Sequence, residues 1–211
     1  MRASIQRKYS LIRYMYTHIT QISLATQNYQ TLYKPLFFEF PNDNGAFNDI
    51  ANNVMLGGAL KTSVNAKSLN ATMTNFYFPA GTWCSVFAPV GNCIYNAVSQ
   101  NVSLPSGLDQ SYVHLREGYI VPMQDAVAIN AKTTADLLNA PVDFHILGTQ
   151  SVPGLPNWRA EGMYLNDDGL TTNVTGNVNQ YRITVSYSRS QGENIYLTIV
   201  QSMTASNYLN T

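Results

Sequence analysis

The sequence predicts a mainly β protein in which one long N-terminal helix precedes two antiparallel β-sandwich modules. Three observations predict it. Ile5, Tyr9, Ile12, Tyr16, Ile19 and Ile22 recur at three- and four-residue intervals and form one apolar stripe over residues 3–28. From Leu36 onward the chain changes to short apolar runs, punctuated by Gly57-Gly58, Pro79-Ala80-Gly81, Pro89-Val90-Gly91 and Pro105-Ser106-Gly107. Finally, Ile183, Val185 and Tyr187 alternate with Thr184, Ser186 and Ser188, and Ile195, Leu197 and Ile199 repeat the pattern, which is the period of a half-buried strand.

The helix occupies residues 1–34 with its tail, and Arg2, Arg7, Lys8 and Arg13 lie mostly off its stripe. Leu36-Phe37-Phe38-Glu39-Phe40 is an apolar strand closed by the turn residues Pro41-Asn42-Asp43-Asn44-Gly45. Further strands are expected around 54–62, 73–79, 82–88, 111–115 and 118–122. In the last of these stretches Val113, Leu115, Tyr119 and Val121 are the side chains expected to point inward. A second strand group lies around 126–130, 142–148, 161–166, 180–187 and 194–201, so the modules are 35–124 and 125–211, with a boundary near 125. The second module stops soon after Ile199 and is expected to be incomplete, with an unpaired sheet edge.

Composition narrows the function classes. The chain has 211 residues, 45% of them hydrophobic, which suits a folded globule rather than a disordered chain. Only 11% are charged, against roughly 25% in ordinary soluble domains. Twelve basic side chains balance twelve acidic ones without a basic run, so nothing points to nucleic acid or an anionic membrane surface. No apolar run reaches the roughly 20 residues that span a bilayer. The first residues lack a continuous apolar segment and a small-residue cleavage site, so no signal peptide is read there. Other features nevertheless suit the secretory pathway. Asn70, Asn101 and Asn173 each head an Asn-x-Ser/Thr acceptor triplet. Cys84 and Cys93 enclose eight residues that include Pro89 and Gly91, a spacing that facing strands of a hairpin can bridge; two buried free thiols are the alternative.

Four ordered blocks carry a resemblance. They are Arg7-Lys8-Tyr9-Ser10-Leu11-Ile12-Arg13-Tyr14-Met15-Tyr16-Thr17; Lys34-Pro35-Leu36-Phe37-Phe38-Glu39-Phe40-Pro41; Met55 to Leu60 with Tyr77 to Trp83; and Val113-His114-Leu115-Arg116 followed by Gly118-Tyr119-Ile120 and Pro122-Met123-Gln124. Together they resemble the C-terminal region of the glycoside hydrolase family 31 α-glucosidases, after the catalytic barrel. A looser match runs through Gly162 to Gly169. The resemblance implies that residues 1–34 are the last helix of a (β/α)8 barrel and that 35–124 and 125–211 are the proximal and distal sandwiches. It also implies, for an intact relative, retaining hydrolysis of terminal α-glucosidic bonds. The sequence departs from the family pattern at Lys34, where Arg is usual, at Gly58, at Lys61 and Val64, and at Glu117.

The chemistry of such an enzyme is missing here. A retaining glycosidase needs two carboxylates about 5–5.5 Å apart, and the family's Trp-x-Asp-Met-Asn-Glu nucleophile run does not occur in the chain. Asp167-Asp168 is the adjacent acidic pair, and it reads as a turn whose side chains bond the backbone. His114, between Val113 and Leu115, reads as a hydrogen-bonded structural residue, as do His18 and His145 in their elements; three scattered histidines make no metal site. No catalytic, cofactor-binding or metal-binding residue is assigned. Trp83, Trp158 and the fourteen tyrosines read as core before they read as a sugar platform. The expected role is a non-catalytic scaffold for a catalytic barrel in cis or from another chain, with α-glucan touched only indirectly. The alternative is a stand-alone carbohydrate-binding module or a non-catalytic subunit.

Overall fold

In a computed structural model, residues 2–24, 31–65, 70–87, 92–106, 110–149, 157–167, 169, 178–188 and 194–203 are described. The chain divides into two compact units, one formed by Met1–Gln30 with Gly118–Thr211 and the other by Thr31–Glu117. The fold class matches the expectation: mainly β, antiparallel, with N-terminal helices ahead of sandwich-like sheets. The division differs from a break near 125. Tyr119–Met123 pairs along its whole length with Asp143–Leu147, so it belongs to the later sheet.

Unit Thr31–Glu117 is a two-layer sandwich. Its strands are β1 (Tyr33–Pro35), β2 (Asn53–Leu56), β3 (Leu60–Ser63), β4 (Met73–Phe78), β5 (Gly81–Ser85), β6 (Cys93–Asn96), β7 (Gln100–Pro105) and β8 (Tyr112–Arg116). Six of them form one sheet in the order β1-β2-β3-β8-β5-β6, and β4 pairs with β7 as the second layer. Between the layers lie Leu36, Ala46, Met55, Phe76, Phe78 and Trp83, with Phe40, Ile94, Val102, Leu104 and Tyr112 packed around them. Trp83 has no exposed surface, and its indole N–H donates to the Pro79 carbonyl at 2.9 Å, so burial of the ring leaves no unpaired donor.

Several local expectations change. Leu36–Phe38 is a 3-10 turn rather than a strand, closed by the Glu39 and Phe40 amides donating to the Leu36 carbonyl. That geometry turns Leu36 into the core while Phe38 is left outside. The run 54–62 is not one strand but the hairpin β2–β3, reversed at Gly57, whose φ of 62° suits a residue without a Cβ. β6 is the facing strand that the Cys84–Cys93 hairpin reading calls for, whereas β7 carries weak alternation and was not expected. On β8 the register puts His114 opposite Lys61 and Trp83 opposite Arg116, so Tyr112, His114 and Arg116 face the sandwich and Leu115 is buried on the other side.

The other unit has a five-stranded sheet in the order β10-β9-β11-β12-β13. Its strands are β9 (Tyr119–Met123), β10 (Asp143–Leu147), β11 (Asn157–Asp167), β12 (Val178–Ser188) and β13 (Asn194–Met203). Neighbours run antiparallel except β9 and β11, which meet in parallel at Tyr119 and Glu161. Gly162 permits that meeting, since a Cβ there would lie 2.3 Å from the Ile120 carbonyl oxygen. Residues 126–130 form turns instead of a strand: Asp125 accepts from the Ala128 amide through its side chain and from the Ile129 amide through its carbonyl.

The predicted single helix is two, α1 (Arg2–Ser10) and α2 (Ile12–Leu24), broken at Leu11. The Ser10 carbonyl accepts from the Gln124 amide, leaving the helical ladder at that point. The Ser10 hydroxyl donates to the Gln6 carbonyl and accepts from the Ala126 amide. Further along, the Thr17 hydroxyl donates to the Arg13 carbonyl at 2.8 Å and accepts from the Leu165 amide at 3.1 Å. The buried positions are therefore Gln6, Ser10, Leu11, Tyr14, Thr17 and Thr20, not the apolar stripe. Tyr9 and Ile12 pack against Ala126, Ala131 and Leu137, while Ile5 and Ile19 remain 46% and 52% exposed.

Two outcomes follow for stability. Gln124 is buried and makes three side-chain bonds, accepting from Arg13 Nε at 3.0 Å and donating to the Leu137 and Ala140 carbonyls at 2.8 and 2.7 Å. Gln124→Leu is expected to lower stability by about 2–4 kcal/mol, because it strands those partners; urea unfolding followed by Trp158 fluorescence checks it. Cys84 and Cys93 face each other on β5 and β6 as a disulfide with a separation of nine residues. The double Cys84→Ala/Cys93→Ala variant is expected to lose about 2–3 kcal/mol, the entropy of so short a loop, measured by Trp83 fluorescence.

Candidate functional site

The acidic and histidine side chains weighed in the sequence, none of them assigned to chemistry, have the following surroundings. Asp167 caps a turn, accepting from the Gly169 amide at 3.1 Å, and it also accepts from the Tyr16 hydroxyl on α2; Asp168 lies outside the described residues. His18 sits edge-to-face on Tyr14, with ring centroids 4.5 Å apart. His145 is on β10, half-buried. Among the described residues no group of three His, Cys, Asp or Glu side chains could hold a metal ion, and no helix is long and apolar enough to cross a membrane. Asn70 and Asn101 are exposed, whereas Asn173 lies outside the described residues, as do Pro89 and Gly91 of the expected hairpin turn.

Three of the stretches that carry the family resemblance meet within unit Thr31–Glu117, around one anchored core. Glu39 sits between two cations, accepting from Lys34 Nζ through one carboxylate oxygen and from Arg116 Nη1 at 3.1 Å through the other. Arg116 also lies 4.4 Å over the Phe40 ring, and Phe40 leans on Trp83 at 6.1 Å. Residues from the Lys34–Pro41, Tyr77–Trp83 and Val113–Arg116 stretches are thereby held in one network. Lys34 keeps the charge that Arg would bring but not the two-pronged geometry, and Arg116 supplies the second contact to Glu39.

A second network ties the loop after the first aromatic run to the β4–β7 layer. Asp43 accepts from Tyr77 at 2.5 Å, from Ser99 at 2.6 Å and from the Gly45 amide at 3.0 Å. Burial raises the Asp43 carboxyl, but the bonds from Ser99, Tyr77 and the backbone outweigh it and hold the group below the usual carboxylate range. Both networks tie loops to strands within unit Thr31–Glu117.

One cluster was not foreseen. Lys61 has no exposed surface, donates to Asn53 Oδ1 at 2.9 Å and to Ser63 Oγ, and lies 3.9 Å from the centre of the Phe78 ring. Burial pushes its amine down to about 7, against the opposing charge of Asp49. His114 beside it is pushed down to about 3 by burial and by the charge of Lys61. His114 was expected to be a hydrogen-bonded residue, but it is buried and among the described residues its Nδ1 has no hydrogen-bond partner. The sequence signal was present as a lysine interrupting an apolar strand, with no means of telling that both faces of that strand are covered.

The model of the glycosyl hydrolase family 31 C-terminal domain matches residues 29–121. The chain is 31% identical over 137 residues to lysosomal α-glucosidase of Bos taurus, covering 59% of this chain and 14% of the relative. To the Mus musculus lysosomal α-glucosidase it is 28% identical over 184 residues, covering 80% of this chain and 18% of the relative. It thus spans under a fifth of these relatives' length. In fold it resembles a family 31 dextranase of Flavobacterium johnsoniae, with a TM-score of 0.75 at 20% identity over 97% of this chain and 23% of that one. A glucosidase II α subunit gives 0.71 at 19% identity, covering 89% of this chain and 20% of that one. The matched domain, the α-glucosidase relatives and the shared fold identify the chain as a C-terminal region of glycosyl hydrolase family 31.

Proposed function

We propose that the chain is the non-catalytic scaffold of a family 31 α-glucosidase-like protein, bracing a (β/α)8 barrel supplied in cis or by another chain. The observation that carries this reading is the inverted helical pair. α1 and α2 spend their small polar face on their own sheet and keep Ile5 and Ile19 outward, where a second apolar surface can cover them. Each half-exposed isoleucine so covered contributes about 1–2 kcal/mol to docking. On this reading α-glucan meets the barrel rather than this chain. Residence in the secretory pathway is supported by the Cys84–Cys93 disulfide, by the lysosomal α-glucosidase relatives and by the exposure of Asn70 and Asn101.

The second reading, a stand-alone carbohydrate-binding module, draws on two stacked pairs. Trp158–Tyr187 and Tyr164–Tyr181 share one face of the β11–β12 ladder. Aromatic faces of this kind accept pyranose rings, and calorimetric titration with maltose separates the two readings.

Two outcomes test the proposal. A family 31 barrel produced without its own C-terminal region should form a one-to-one complex with the chain, and Ile5→Ser/Ile19→Ser should weaken that complex by at least about tenfold. Failure of the wild-type chain to bind the barrel, or release of p-nitrophenol from an α-glucoside by the chain alone, refutes the scaffold reading. When the chain is expressed through a eukaryotic secretory pathway, Asn70→Gln and Asn101→Gln should each remove one endoglycosidase-sensitive mass step. A chain secreted without any glycan would remove that support for secretory residence.

A further inference from the structure

Lys61 and His114 are cross-strand partners on β3 and β8, and both side chains point between the two layers of unit Thr31–Glu117. Two bases side by side in an apolar layer are tolerated when neutral and repel when charged. The groups that touch them are uncharged. From β2 comes the neutral Asn53, from β3 itself Ser63, from β4 the Phe78 ring, and from β5 Ser85, opposite His114. On β8, Tyr112 stacks on His114 at 6.0 Å, and Arg116, two residues further on, is engaged with Glu39. The carboxylate that acts on Lys61 is Asp49, in the segment before β2, and it does so through space. The Phe78 ring contacts both bases, lying edge-on to His114 at 5.0 Å and beneath Lys61 Nζ. A shift at either base therefore reaches the aromatic layer and Trp83, which touches Phe78 at 6.1 Å.

We infer that the Lys61–His114 pair is an acid-sensitive latch in the sandwich: with both bases neutral the layers close over them, and proton uptake loosens β3, β8 and the Phe78 layer. The direction follows from the depressed proton affinities. The unfolded chain holds the Lys61 proton below about 10.5, while the folded unit refuses it down to about 7. Across that window the unfolded state carries more protons, so stability falls as pH falls. For His114 the window runs from about 6.5 to about 3, with the same sign. The unit is firmest at alkaline pH and loosens stepwise on acidification.

The test uses the full chain with Trp158→Phe, which leaves Trp83 as the sole tryptophan reporter. Urea midpoints are measured from about pH 4.5 to about pH 9.5, where one proton of linkage changes the folding equilibrium about tenfold per pH unit. The wild-type midpoint should fall in both windows. Lys61→Met should flatten the upper window, and His114→Gln should flatten the lower one beyond what carboxylate titration leaves. Variants that keep the wild-type slopes, or a wild-type midpoint that is level between about pH 7 and about pH 9.5, would overturn the inference. If Lys61→Met fails to fold, amide exchange in the wild-type chain decides. After correction for intrinsic rates, protection of β3 and β8 should drop at least about tenfold from pH 9 to pH 7 while β12 holds. Equal protection at the two pH values sinks the latch.

Discussion

Gln124 is the residue on which the helical part of the molecule depends. Its amide donates to the Ser10 carbonyl, its side-chain oxygen accepts from Arg13, and its side-chain nitrogen reaches the Leu137 and Ala140 carbonyls. One fully satisfied buried amide thus joins the end of β9, both helices and the turn region after it. Because every donor and acceptor is used, burial of the group carries no unpaired cost. The break at Leu11 falls where the Ser10 carbonyl accepts from Gln124. With Ser10 anchored to the segment after β9 and Thr17 to β11, the helices' polar side is committed inward, and the outward position of Ile5 and Ile19 follows from geometry.

Unit Thr31–Glu117 rests on a different principle. Its centre is a layer of Phe76, Phe78 and Trp83 against Leu36 and Met55, and burial of these large side chains is the main favourable term. Polar groups enter that layer only where they are anchored. Glu39 is held by Lys34 and Arg116, and Asp43 by Tyr77 and Ser99. Lys61 and His114 are the departure. They occupy inward positions with neutral partners, so the layer that gives the unit its stability also makes it responsive to protons.

Family membership and chemistry separate cleanly in this chain. Stretches that carry the family pattern also build the fold: Glu39, Trp83 and Arg116 share one network in unit Thr31–Glu117. None of these is arranged as a nucleophile beside an acid. A scaffold can therefore be recognised by sequence through the same side chains that build it.

The amino-acid sequence by itself determined the class of fold, most strand positions, the Cys84–Cys93 pairing as one of two options, and the family, because strand periodicity, turn residues and motif order are local properties. It did not determine which face of the helices is buried. The apolar stripe is a local pattern, whereas the choice between it and Ser10, Thr17 and Thr20 was made by backbone groups of Gln124, Ala126 and Leu165, more than a hundred residues away in the chain. Nor could it show that Lys61 lies opposite His114, since cross-strand register is settled by packing of whole sheets. Tertiary structure decided both, because only it brings distant hydrogen-bonding groups and facing layers together.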